Sequence, residues 1–269
     1  MLTLVLKLTL APALVAAATY TARHVGNRSA GLLSGLPVVA GPIELIYTVE
    51  HGARYAHTAA AGAILGIASL VGFCVMYTAL ARRSSLLIAL AGGWLGFALA
   101  TVVFGLLRLP ALVGIAVTAG VIAAGGWSIQ RHTSPRPRAS RNSEMLAARL
   151  LVTAILVLAV TAVARHLSPY IAGLLATLPI ITSVMAGFTH AQAGPDAAIE
   201  LLGGLTRALT SFLVFFAVLA AALTHAPTVP VFLLATLATL TTWGLLATRG
   251  RNPVFTSPLQ AAAHIDEAV

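Results

Sequence analysis

Long apolar runs recur along the whole chain, and they constrain its fold more than any other feature of the sequence. A run of about 20 residues crosses the roughly 30 Å hydrocarbon core of a bilayer when it forms an α-helix. Only 9% of the 269 residues are charged, whereas a soluble domain carries about 25%. The polar surface is therefore too small to cover a water-soluble globule, and the sequence predicts an all-α polytopic membrane protein.

Hydropathy, read in windows of about 19 residues, predicts about nine transmembrane helices. The breaks between them carry charges and turn residues, such as Arg82-Arg83 and Leu109-Pro110. One long polar link, residues 130–143, is rich in Arg, Ser and Pro and is typical of a flexible loop. The predicted helices lie near 3–22, 30–49, 58–80, 85–107, 110–129, 146–164, 171–190, 203–223 and 228–248.

The placement of arginine predicts how these helices are oriented. Cytoplasmic segments of membrane proteins are enriched in Lys and Arg, and the densest arginine cluster lies at 131–141. An outside N-terminus and a cytoplasmic C-terminus put that cluster inside. The basic residues behind the net charge of +9 thus serve to orient the helices in the membrane. We therefore expect membrane lipids as partners and no nucleic acid. The abundance of alanine and arginine suggests a bacterial cytoplasmic (inner) membrane.

An internal repeat is the most specific signal in the chain. Shifting the sequence by 142 positions aligns the segment 22–37 with 164–179, with nine of sixteen positions identical. The identities include Arg, His and Pro, which are too rare in this chain to match through low complexity alone. Fixed-period similarity of this kind indicates a duplicated structural unit.

The repeat predicts the domain organisation. Five predicted helices separate the start of one copy from the start of the next, so the copies face opposite sides of the membrane. We expect two inverted-topology four-helix repeats joined by one connecting helix, the layout of many secondary transporters. The predicted boundaries are 1–108 for the first repeat, 109–145 for the connector and basic loop, 146–248 for the second repeat and 249–269 for a cytoplasmic tail.

The second helix of each copy contains proline and glycine at positions that interrupt an α-helix. Proline removes a backbone donor and clashes with the preceding turn, and the freed carbonyls need partners within the membrane. One interpretation is a pair of broken helices that meet a substrate or ion; the other is ordinary kinks with glycines for close packing. The candidate binding residues are Pro37, Gly41 and Pro42 in the first copy and Pro179, Thr182 and Ser183 in the second.

Glu44 follows Pro42 within an apolar run. An ionisable side chain inside a membrane helix is costly and is a functional-site candidate by default, so Glu44 is a candidate proton carrier. The alternative is a carboxylate near the outer interface, paired with Arg54 or Lys7. Its repeat partner is Ala186, so the two copies differ chemically at this position.

The second copy carries its own polar residues, among which His190, Glu200 and Arg207 are binding candidates. Glu200 and Arg207 are two helical turns apart and share a face if their helix begins early. The alternative, which we favour from sequence, is a helix that begins near Leu205 and leaves both charges at the cytoplasmic boundary.

Several motifs of energy-coupled and hydrolytic proteins are absent from the sequence: the chain has no phosphate-binding loop, HExxH, G-x-S-x-G or C-x-x-C motif. We therefore expect no enzyme activity, cofactor or metal. The sequence favours a secondary transporter or permease for a small molecule or ion, and a homodimer is compatible with it. The alternatives are a non-catalytic membrane subunit of an envelope or lipid-modifying complex, and a membrane enzyme acting on lipid-linked substrates.

Overall fold

The computed structural model describes residues 2–37, 40–133, 150–153, 155 and 168–249. In this part of the chain the secondary structure is helix joined by short turns, and no strand occurs. The helices are α1 (Leu2–His24), α2 (Asn27–Ser34), α3 (Ala40–His51), α4 (Ala53–Ala81), α5 (Leu86–Leu107), α6 (Ala111–Arg131), α7 (Pro169–Ala176), α8 (Ile180–Ala193), α9 (Pro195–Ala222) and α10 (Thr228–Arg249).

Within the described residues, six helical stretches are long and apolar enough to cross a membrane. They include α4, α5, α6 and α9, together with α7 and α8 taken as one unit and most of α10. The all-α prediction is confirmed, and the composition of these helices fits a membrane protein. The predicted helix at 146–164 lies largely outside the described residues, so the count of nine stays a prediction.

The long helices α4 and α9 form the centre of the molecule. About 78% of the apolar stretch of α4 is buried, against 17% in α10 at the periphery. The outer helices α5, α6 and α10 instead expose leucines, such as Leu87, Leu112 and Leu237. An apolar exterior around a packed core suits a lipid environment, because the exposed apolar side chains would contact lipid chains instead of water.

Both helices that contain the repeated Leu-Pro pair are interrupted. α2 ends at Ser34 and α3 begins at Ala40, with Pro37 between them. α7 ends at Ala176 and α8 begins at Ile180, directly after Pro179. Each interruption falls where a proline removes the amide that would continue the helix.

The N-terminal segment of each interrupted helix packs closely on a central helix. α2 lies against α9, where a Cβ added at Gly31 would clash with the backbone oxygen of Leu201. α7 lies against α4, where a Cβ added at Gly173 would clash with the backbone oxygen of Ala59. Small residues permit this backbone-to-backbone approach, as they do between membrane helices generally.

The C-terminal segment of each interrupted helix turns sharply into the long helix that follows it. Gly52 joins α3 to α4 with φ 87°, and Gly194 joins α8 to α9 with the same φ of 87°. L-residues with a side chain rarely adopt this backbone conformation, whereas glycine adopts it readily. Pro195 follows Gly194 at the start of α9, a position that proline favours. The expectation that this helix begins near Leu205 is therefore wrong.

Candidate functional site

The first interruption leaves its prolines and glycine partly buried, with Gly41 facing α9. The carbonyl oxygen of Pro37 accepts a hydrogen bond of 2.8 Å from the amide of Gly41. A Cβ added at Gly41 would lie 3.4 Å from the ring of Phe215, so the glycine faces an aromatic side chain. Pro42 follows in the first turn of α3, where its missing amide needs no partner.

Glu44 lies one turn further along α3 and is only 2% exposed. Its backbone oxygen accepts a hydrogen bond of 2.8 Å from the hydroxyl of Thr48. The side-chain Oε1 atom is buried and has no hydrogen-bond partner among the described residues. No ion pair joins Glu44 to Arg54 in this part of the chain, and the side chain of Lys7 lies outside the described residues. The carboxyl group is therefore buried with unsatisfied hydrogen-bonding capacity.

Aromatic rings lie on both sides of the Gly52 corner, at the end of α3 and the start of α4. The rings of Tyr47 and Tyr55 lie 5.8 Å apart, and His51 stacks on Tyr55 at 4.6 Å. Both tyrosines lie within electrostatic range of the Glu44 carboxyl group. The segment from α3 to the start of α4 thus combines one buried acid with a cluster of polarisable rings.

The second interruption presents hydroxyl groups where the first presents Ala40 and Gly41. The carbonyl oxygen of Pro179 accepts a hydrogen bond of 2.8 Å from the amide of Ser183. Thr182 and Ser183 are 6% and 8% exposed. Ser183 lines a cavity of about 340 Å³, and its hydroxyl oxygen is buried without a hydrogen-bond partner among the described residues.

His190, near the end of α8, makes a polar contact with the central helix α4. Its Nδ1 atom lies 2.9 Å from the hydroxyl of Tyr77, which also approaches the backbone oxygen of Ala186 at 3.4 Å. Nearby, Arg82 at the end of α4 forms a salt bridge of 2.7 Å with Asp196 at the start of α9. These contacts link the corner around Gly194 to α4.

Glu200 and Arg207 share helix α9, but no ion pair joins them within the described residues. Glu200 is instead linked by a side-chain hydrogen bond to Asn27 at the start of α2, with Arg28 close enough to interact electrostatically. The polar residue that meets Glu200 is therefore on the first interrupted helix. Arg207 is partly buried, two helical turns further along α9.

The candidate residues are distributed over both interruptions rather than gathered in one cluster. α1 contacts both α3 and α8, and these two segments do not pack directly on each other in the described part of the chain. Three residues at these contacts were not predicted from the sequence. They are Tyr77, which contacts His190, Asn27, which contacts Glu200, and Trp94, which lines the same cavity as Ser183. A signal existed for each, because they are polar or amphipathic side chains within or beside apolar runs that contain few of them.

Within the described residues, no three His, Cys, Asp or Glu side chains lie close enough together to hold a metal ion. No protein family, curated protein or solved structure matches this chain. Any function must therefore be argued from its own residues.

Proposed function

We propose that the chain is a secondary transporter or permease for a small solute, coupled to protons through Glu44. It would be built from two inverted-topology four-helix repeats in a bacterial cytoplasmic membrane, with the N-terminus outside, the C-terminus inside and α6 as the connector. The observation that carries the proposal is the buried Glu44 carboxyl group, without a hydrogen-bond partner among the described residues, next to an interrupted helix.

Reciprocal glycine contacts support the repeat. Gly31 and Gly173 are separated by the repeat offset, as are Gly62 and Gly204. Gly31 and Gly204 lie at the contact between α2 and α9, where a Cβ added at Gly204 would clash with Arg28. Gly173 and Gly62 lie at the contact between α7 and α4, where a Cβ at Gly62 would clash with Tyr170. Each copy thus contributes the interrupted helix at one contact and the central helix at the other.

The two corner glycines support the same relation. Gly52 and Gly194 are also one repeat offset apart, and both adopt φ 87° between an interrupted helix and a central helix. Two copies related by symmetry could exchange conformations and open the binding site alternately to each side, as in transporters with inverted repeats.

Glu44 would couple solute movement to a proton. A buried carboxylate without a charge partner is costly, and no described residue forms an ion pair with Glu44. A closed site would therefore require either a bound proton or a bound cationic group. Either one compensates the carboxyl group during the conformational change and leaves when the site meets water. The path would run along Pro37, Gly41 and Pro42 in the first copy and Pro179, Thr182 and Ser183 in the second.

Purified protein in liposomes loaded with a pH-sensitive dye tests this proposal. Gradients of amino acids, organic acids and inorganic cations are imposed one at a time, and solute-dependent proton movement is recorded. Glu44→Gln should abolish that movement. Glu50→Gln, which changes an exposed acid on the same helix, should leave it unchanged.

Normal coupled transport by Glu44→Gln would remove Glu44 from the mechanism. If no solute in the panel moves protons or crosses the membrane with folded wild-type protein, the transporter proposal fails. The non-catalytic membrane subunit would then become the better description.

A further inference from the structure

A cavity of about 340 Å³ lies between α5 and α8, near residue 152. α5 contributes Leu86, Leu90 and Trp94, and α8 contributes Ser183, Gly187 and Phe188. None of the described residues that line the cavity is charged. Its volume falls at the lower end of the roughly 300–1,000 Å³ typical of small-molecule pockets, which are also mainly apolar. The cavity therefore has the size and lining of a site for an apolar ligand.

The cavity is open on one side, and the neighbouring surface is strongly apolar. Leu87 and Ile88 on α5 are 75% and 54% exposed, and Leu151 beside the cavity is 62% exposed. α5 is long and apolar enough to lie within a membrane. A surface with such residues would contact lipid chains in a membrane, so a ligand would enter the cavity sideways from the bilayer.

Ser183 is the hydroxyl-bearing residue among the described residues that line this apolar cavity. Serine and threonine inside helices commonly donate to the carbonyl oxygen four residues earlier, as Ser69 and Thr206 do here. Ser183 does not, and its hydroxyl is buried without a partner among the described residues. Leaving such a group unsatisfied costs about 1–3 kcal/mol. A ligand with one hydrogen-bonding group would remove that cost.

The repeat-equivalent place around Gly41 is lined differently. At the repeat offset, Gly41 stands where Ser183 stands, and Phe232 stands where Leu90 stands. Phe215 covers Gly41, and the rings of Phe215 and Phe232 lie 6.2 Å apart. The place around Gly41 therefore has an aromatic ring, Phe232, at the position equivalent to Leu90, and it has no hydroxyl. This comparison uses the proposed repeat, whereas the cavity itself does not depend on it.

We propose that the cavity between α5 and α8 binds one long-chain amphiphile with an uncharged head group, such as a fatty alcohol, from the surrounding membrane. The aliphatic chain would lie along Leu86, Leu90 and Phe188. The Ser183 hydroxyl, which no described partner holds in place, would turn toward the cavity by rotation about χ1 and exchange a hydrogen bond with the head group.

Trp94 lines the cavity and can report binding directly. Replacing Trp127 and Trp243 with Phe leaves Trp94 as the single tryptophan of the chain. The protein is placed in nanodiscs of unbrominated lipid and titrated with 12-bromododecan-1-ol, whose bromine quenches nearby tryptophan. We expect saturable quenching that unbrominated dodecanol reverses and dodecane reverses poorly.

Three variants sharpen the test. Ser183→Ala should weaken the apparent affinity about five-fold, as expected for loss of one hydrogen bond. Leu90→Phe should abolish saturable quenching by filling the cavity with the ring that Phe232 supplies at the repeat-equivalent position. The matched control Phe232→Leu, at the equivalent place, should leave quenching of Trp94 unchanged.

Linear quenching that does not saturate, and that dodecanol does not reverse, would mean simple partition into the bilayer and would overturn the proposal. Equal affinity in the wild type and Ser183→Ala would also overturn it, and this outcome does not depend on whether Leu90→Phe folds. The assay measures binding only. Glu44→Gln should bind the alcohol normally, so this proposal and the transport proposal can fail separately.

Discussion

The first interrupted helix, α2 and α3, can be compared position by position with the second, α7 and α8. Both are split near a Leu-Pro pair, both pack a glycine against a central helix, and both end at a glycine with φ 87°. Their polar groups differ. The first carries Glu44 where the second carries Ala186, and the second carries Ser183 where the first carries Gly41.

The two interrupted helices therefore share a backbone arrangement, which we call the frame, and differ in their polar side chains, which determine the chemistry. The frame depends on prolines and glycines, which act through the backbone and recur in both halves. The chemistry depends on single side chains that occur in one half only, such as the pair formed by Tyr77 and His190. Thr48 and Leu219 occupy the equivalent positions in the other half and cannot form the same contact. A shared frame can therefore hold two different sites.

The largest expected effect tests whether the frame is the same in both halves. Gly31→Ala and Gly173→Ala should each lower the free energy of unfolding by about 3 kcal/mol, because the added Cβ meets backbone that cannot move aside. Gly120→Ala is the control, since nothing lies near its added Cβ. Unfolding in detergent with increasing SDS measures all three. A large loss at one glycine and none at the other would break the equivalence.

The next effect concerns the chemistry of the first half. Glu44→Met should raise the free energy of unfolding by about 1–2 kcal/mol, because it removes a buried polar group without a hydrogen-bond partner in the described structure. Glu50→Met, on the exposed side of the same helix, should change stability little. The same SDS titration measures both. A destabilised Glu44→Met variant would indicate that the carboxyl group stabilises the fold.

A smaller effect concerns the chemistry of the second half. Tyr77→Phe should lower the free energy of unfolding by about 1 kcal/mol by removing the hydrogen bond to His190. Tyr20→Phe is the control, because Tyr20 is 65% exposed. A double-mutant cycle with His190→Leu isolates the pair. A coupling energy near zero would mean that the contact contributes nothing to stability.

The smallest effect concerns the salt bridge between Arg82 and Asp196. Both side chains are well exposed, at 38% and 46%, so the pair should contribute only about 0.2–1 kcal/mol. A cycle of Arg82→Ala and Asp196→Ala measures the coupling, which should decrease as salt is added. Coupling that is large and independent of salt would show that this corner is shielded from solvent.

The sequence predicted the start of α9 wrongly for a physical reason. A hydropathy window lowers its average at Asp196 and Glu200 and so ends the apolar run there. It contains no information on the residues that those side chains contact. In the fold, Asp196 pairs with Arg82 and Glu200 meets Asn27. Charged side chains with partners on other helices do not interrupt a helix that Gly194 and Pro195 begin.

By itself the sequence determined the all-α class and most helix boundaries, and it indicated a break or kink in the second helix of each copy. These depend on local chemistry, namely the length of an apolar run and the missing amide of proline. Only the tertiary structure decided that the Oε1 atom of Glu44 is buried without a partner in the described part of the chain, that Tyr77 meets His190 and that a cavity opens beside Ser183. Tyr77 and His190 are 113 residues apart, so their contact depends on how separate helices pack, which no local pattern specifies.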